Sequence, residues 1–255
     1  MKHRVRCLAR VCAALAVLAS IASPAGAAPA WRMCLGDFSL PPYVYREPGH
    51  VGLLEPLLQA AGREAGLEVT VQRYPTRRCT LMLHTGETDA ILAAPTVNNL
   101  RDYSFPMKQG GVDVERRLAT VVVRLVKRAG TPIDWDGHVL TGLTPQHKLV
   151  GLRIGFRSVR ELLEGMGLRV DDTSLRVSQL LTMLSLDRVD LIACVQEELP
   201  PAGDAQLRGL DVLAVPLRSL DFYAVVRPGL APATQARVEA WWAAIGRRRD
   251  AVLPH

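Results

Sequence analysis

Apolar positions along the chain switch between two periods, and the switching occurs twice. Trp31 to Gly36 is a short apolar run that ends in the loop Pro41-Pro42-Tyr43, and it reads as a strand. From Leu54 to Ala65 the period lengthens. Leu57, Leu58, Ala61 and Ala65 then share one helical face, and Gly66 stops the helix. Leu67 to Arg73 alternates as a strand, and Thr76 to His84 reads as a helix ended by Gly86. Ala90 to Ala94 is a continuous apolar run, the pattern of a strand buried on both faces.

The series then restarts. Ala119 to Val126 is rich in β-branched residues and predicts a strand. Residues 131–146, rich in Pro, Gly and Asp, read as loop. Leu152 to Phe156 is predicted as a strand, Val159 to Met166 as a helix and Leu168 to Val170 as a short strand. A helix over Leu175 to Leu186 carries Leu180, Leu181 and Leu184, and Asp190 to Val195 follows as a buried strand. Pro216 to Tyr223 reads as a return crossing. Gln235 to Arg247 then places Val238, Trp241, Trp242 and Ile245 at helical spacing, the pattern of core residues rather than ligand contacts.

Two strand–helix–strand series predict two mixed α/β lobes joined by two crossings. The expected division gives residues 28–116 and 218–255 to the first lobe and 117–217 to the second. Residues 1–27 are expected to form a cleaved secretory signal. Lys2, Arg4, Arg6 and Arg10 precede the apolar stretch from Val11 to about Ile21, and small residues follow up to an A-x-A site at Ala27. That stretch is too short to span a bilayer comfortably, and no later segment reaches the roughly 20 apolar residues a span requires.

Export changes how charge and cysteine are read. The net charge of +6 comes largely from the leader; without its four basic residues, 27 basic face 25 acidic side chains. Basic residues are scattered except for Arg247-Arg248-Arg249 at a helix end, and no aromatic residues interleave with them, so nucleic acid is excluded as a partner. Three cysteines follow the leader: Cys34, Cys79 and Cys194. An exported compartment permits one bridge with one thiol over. Cys34 and Cys79 form that pair or, alternatively, all are ordinary buried thiols. No cofactor or metal is expected. His50, His84, His138, His147 and His255 have no ligand spacing, and Asp134-Trp135-Asp136-Gly137 is too short for a calcium loop.

The order of local motifs resembles the family 3 periplasmic solute-binding proteins over nearly all of the expected mature chain. Met33-Cys34-Leu35-Gly36-Asp37 followed by Pro41-Pro42-Tyr43 is similar to the family's opening strand and ligand-facing loop, and Gly52 to its glycine before the first helix. Gly86-Glu87-Thr88-Asp89-Ala90-Ile91 is similar to the segment preceding its ligand-contacting turn. Arg101, then Tyr103-Ser104-Phe105-Pro106, resembles its arginine and the strand after it. Gly151-Leu152-Arg153-Ile154-Gly155 and Asp187-Arg188-Val189-Asp190 resemble motifs of its second lobe.

The resemblance implies a two-lobed type II periplasmic-binding-protein fold. It implies a monomer in the periplasm that closes on a small polar or anionic solute, an amino acid or a carboxylate, for a membrane permease of the ABC type. Thr96 and Asn98 on the turn after Ala94 and the guanidinium of Arg101 are the expected ligand contacts of the first lobe, with Arg101 clamping a carboxylate. Arg157 and Ser158 are those of the second. Asp37 either accepts a ligand ammonium or caps its loop, and Tyr43 and Tyr45 either wall the cleft or pack internally. Val195 stands where the family's amino-acid binders place an acid for the ligand ammonium, with Gln196, Glu197 and Glu198 beyond it.

Two other classes compete. One is a sensor module whose closure is read by a separate membrane protein. The other is an enzyme like the cyclohexadienyl dehydratases that share this fold, with Glu197 or Glu198 as the acid. No nucleophile elbow is present, and Cys194 lies within an apolar run where a thiol is inert, so no catalytic residue is assigned.

Overall fold

The computed structural model describes residues 30–45, 49–146 and 148–252, so the expected leader lies outside the described residues. In chain order the main elements are β1 (Ala30–Gly36), α1 (Leu54–Glu64), β2 (Glu68–Tyr74), α2 (Thr76–Thr85), β3 (Ala90–Ala93) and α3 (Val97–Asp102). There follow β4 (Ala119–Arg128), β5 (Leu149–Arg153), α4 (Arg157–Gly165), β6 (Arg169–Ser174), α5 (Val177–Ser185) and β7 (Leu191–Val195). Last come β8 (Leu210–Val212), β9 (Arg218–Val226) and α6 (Pro232–Val252).

The strands run in the order β6-β5-β7-β4-β9-β3-β1-β2, with β8 added on β4. At one end β1 is parallel to both β2 and β3; at the other, β5 is parallel to both β6 and β7. The two parallel groups meet through antiparallel strands. Arg218 to Phe222 of β9 pairs with Ala119 to Val123 of β4, while Tyr223 to Val226 pairs with β3. The later residues of β4 pair with β7. β4 and β9 therefore carry the chain from one parallel group to the other and back, which is the two-crossing arrangement of a mixed α/β, two-lobed molecule.

The apolar periods become the core directly. Leu57, Leu58 and Ala61 of α1 are buried, and Ala65 is half-buried just past the helix end. Every residue of β7 is buried, as its unbroken apolar run requires. Val238, Trp241, Trp242 and Ile245 all face inward from α6. The Trp241 indole N–H donates to the Leu58 carbonyl at 3.1 Å and that of Trp242 to Ala224 at 2.6 Å, so the two largest core side chains leave no buried donor unmet. Cys34 and Cys79 are joined by a disulfide that ties β1 to α2. Cys194 is free and buried on β7, and desolvation pushes its thiol well above the ordinary range.

Some boundaries differ from the sequence reading. The strand expected at Leu152 to Phe156 lies three residues earlier, because Gly155 turns the chain at φ +87° and Phe156 becomes the residue that opens α4. The turn read over Ala94 to Asn98 gives way at Val97 to a short helix, Val97–Asp102, because the Thr96 hydroxyl caps it, accepting from the Asn99 amide at 3.1 Å. The helix ending expected at Arg247 continues to Val252. Arg249 is buried and donates to the carbonyls of Glu115 and Arg117 at 3.2 and 3.1 Å, so that basic run is partly structural.

Candidate functional site

The parallel strands of both lobes deliver their carboxyl ends to one cleft, the usual place for a ligand in an open α/β sheet. A cavity of about 330 Å³ lies there. Phe38 after β1, Thr76 and Thr80 of α2, Asn99 of α3 and Tyr103 line it from the first lobe. Arg153 at the end of β5, Phe156, Arg157 and Ser158 line it from the second, and Phe222 on the crossing strand β9 completes it. A second cavity of about 450 Å³ adjoins it, bounded by Asp37, Pro41, Ser178, Glu197 and Glu198. Phe38 and Arg153 belong to both walls.

Arg153 is the most unusual group here. Its side chain is 6% exposed, at the end of a strand that is otherwise apolar. The guanidinium carbon lies 4.5 Å from the ring centre of Phe38 and 4.8 Å from that of Phe156, one ring from each lobe. Cation–π attraction of this kind strengthens when both partners are desolvated. Nε sits 2.9 Å from Oε1 of Glu198, itself only 8% exposed, but the pair lacks the alignment of a hydrogen bond. Nε and Nη2 have no hydrogen-bond partner among the described residues. Burial pulls the guanidinium below its ordinary value, against the attraction of Glu198, and pushes the Glu198 carboxyl up. Burial also raises Glu197, whose Oε2 has no hydrogen-bond partner among the described residues.

Polar bridges tie the lobes at the rim. Asn98 donates to Glu161 at 2.8 Å, Arg157 pairs with Asp102 at 3.1 Å, and Arg77 pairs with Asp172 at 3.5 Å. Arg157 stands at the start of α4, where the helix dipole disfavours a cation; Asp102 and Glu161, at 3.1 and 3.0 Å, offset that cost. Hydrogen bonds from Arg101 and then Arg157 hold the Asp102 carboxyl below its usual range. The backbones approach closely as well: a Cβ on Gly155 would lie 2.8 Å from the Cβ of Thr76.

Of the expected contacts, the structure brings Arg157 and Ser158 to the first cavity and Asp37 to the second. Asn98 is spent on the bridge to Glu161 and Thr96 on capping α3. Two expectations are corrected. Tyr43 does not wall the cleft; it is buried in the main core, its hydroxyl 3.5 Å from the Thr120 carbonyl. Arg101 is not among the residues lining either cavity; its side chain is 71% exposed and pairs with Asp102. The reason is helical geometry. Asn99 faces inward and donates to the Ala94 carbonyl at 2.8 Å, and two residues further round a helix points the opposite way. Arg153, Phe38 and Phe156 were missed. The available signal was a lone arginine closing the apolar strand Leu149-Val150-Gly151-Leu152.

No family model matches the chain. No curated protein matches it either. Solved structures do. A mutant of ArgBP from T. maritima is 17% identical, covers 87% of this chain and 90% of its own, and superposes with a TM-score of 0.59. The GluR0 ligand-binding core from Nostoc punctiforme, in complex with L-glutamate, is 14% identical over 88% and 99%, with a TM-score of 0.58. A histidine kinase sensor domain with similarity to periplasmic binding proteins is 16% identical over 87% and 93%, with a TM-score of 0.63. At these identities the likeness is one of fold. The chain has the two-lobed fold of periplasmic binding proteins.

Proposed function

We propose that this chain is an exported solute-binding protein of the family 3 type, which captures a small polar or anionic ligand between its lobes. The observation that carries the reading is the cavity of about 330 Å³ whose wall is shared between the lobes and the crossing strand. A ligand seated there touches both lobes only when they are together, so its binding energy goes into closure. The lobe boundaries fall near residues 116–117 and 217–218, where β4 and β9 begin their crossings. The basic, then apolar, then small-residue N-terminus supports export to a periplasm, and the ligand-bound neighbour supports binding rather than catalysis. Delivery to an ABC-type permease is the principal reading; the kinase sensor domain among the neighbours supports presentation to a membrane sensor as the second.

The test is a thermal-shift screen of the purified protein against amino acids, small carboxylates and polar metabolites. A ligand at 100 times its Kd stabilises the folded state by about 2.7 kcal/mol, a readily measured rise in Tm. A rise confined to one chemical class is expected. No rise across the panel would overturn the binding reading.

A further inference from the structure

We propose that the first cavity takes a small organic anion, a monocarboxylate with an apolar body and no amine, and that Arg153 anchors its carboxylate. This rests on the solute-binding reading and names the ligand class.

Charge at the cavity is one-sided. Arg77, Arg153, Arg157 and Arg160 line it, and the only acid among its described lining residues is Asp172. Asp172 is already committed to Arg160 and Arg77. Asp37, Glu197 and Glu198 belong to the neighbouring cavity, beyond the partition formed by Phe38 and Arg153. An ammonium in the first cavity therefore meets cations and aromatic rings but no uncommitted carboxylate.

The anion has a built receptor. The Arg153 side chain is more than nine-tenths buried and lines the cavity; among the described residues its Nη2 has no hydrogen-bond partner, and its Nε, 2.9 Å from Glu198 Oε1, makes an ion pair without the alignment of a hydrogen bond. Those two nitrogens form the edge of a guanidinium on which one carboxylate makes two parallel, charge-assisted bonds. Nη2 is a buried donor with no partner among the described residues, which is costly, and an arriving carboxylate that bonds Nη2 and shares Nε with Glu198 removes that cost. Phe38 and Phe156 hold the guanidinium flat between the lobes, so the fork is oriented before the ligand arrives. No side chain caps α4, whose first residues Arg157 and Ser158 also line the cavity, so the helix start adds positive potential on the same side. Among the other lining residues Leu40, Ile91, Leu92, Ala93 and Phe222 are apolar and suit a hydrocarbon or aromatic body, while Thr76, Thr80, Asn99 and Tyr103 add uncharged polar groups.

The experiment is calorimetry on the purified protein with three probe sets: benzoate and branched aliphatic monocarboxylates, L-glutamate and L-arginine, and agmatine as a cation without a carboxylate. Two variants accompany the wild type. Arg153→Lys keeps the charge but loses the fork. Arg153→Met combined with Glu198→Gln removes both buried charges together, so a lone charge does not unfold the protein. Monocarboxylates are expected to bind the wild type, with Kd raised about tenfold to hundredfold in Arg153→Lys. The double variant is expected to bind none. Binding confined to amine-bearing probes, or monocarboxylate binding unchanged in Arg153→Lys, would overturn the assignment and leave the solute-binding reading standing. Silence from all three sets would overturn both.

Discussion

Asp102 at the end of α3 and Arg157 at the start of α4 pair at 3.1 Å across the rim of the cleft, 55 residues apart in sequence and on opposite lobes. Asn98, one helical turn before Asp102, and Glu161, one turn after Arg157, join the same elements. Because these contacts exist only when the lobes meet, they set the balance between open and closed forms without touching the core. Combining Asp102→Asn with Glu161→Gln is expected to enlarge the radius of gyration in small-angle scattering without added ligand. Circular dichroism should stay unchanged. An unaltered radius would assign closure to the Arg153 region instead.

Gly155 tests the close approach of the lobes. It sits at φ +87°, and a Cβ there meets Thr76 at 2.8 Å. Gly155→Ala combines left-handed strain with a clash and is expected to cost about 1–3 kcal/mol in urea unfolding. A variant as stable as the parent would show that this turn rearranges freely.

The Cys34–Cys79 bridge closes a loop of sequence separation 45. Replacing both residues by alanine is expected to lower unfolding stability by about 2–4 kcal/mol. Among Cys34, Cys79 and Cys194, denaturation without reductant should expose only the Cys194 thiol to a thiol reagent.

Carboxyls of opposite tendency predict the pH dependence. Burial raises Glu197 and Glu198 in the folded state, so protonation favours folding, and stability rises as pH falls through their raised values towards about 4.3. Asp102 is lowered by hydrogen bonds from Arg101 and Arg157, and Asp136 by the backbone amides of Val139 and His138. Their contribution is present above about pH 3.9 and is lost as pH falls through their depressed values. The urea midpoint is therefore expected to peak near pH 5 and collapse below about pH 4. The combination of Glu197→Gln with Glu198→Gln should flatten the rise from neutral pH. A midpoint falling steadily from pH 7.5 to 5 would contradict it.

Element type was legible wherever one period ruled a long segment. α1, β7 and the inward face of α6 follow from apolar spacing because burial area selects the same residues in any compact arrangement. Boundaries shifted where a single residue outweighed the pattern. Gly155 ended β5 early, and the Thr96 hydroxyl turned an expected loop into α3. The site was less legible. Ser158 and Arg157 reach the first cavity because they follow a strand's carboxyl end, which the order of elements reveals. That Tyr43 packs internally and Arg101 faces solvent was not legible, because spacing in the chain does not say which way a side chain points.

By itself, the sequence determined the two strand–helix series, the crossings at β4 and β9 and the residues that fill the core. Periodicity is local, and the hydrophobic effect reads it without knowing the fold. Only the tertiary structure decided that Arg153, at the end of an apolar strand, lies between an aromatic ring of each lobe and against Glu198. It also decided that Arg101 faces solvent. Those outcomes depend on contacts across separations of tens to more than a hundred residues and on the direction of single side chains, which a one-dimensional pattern does not encode.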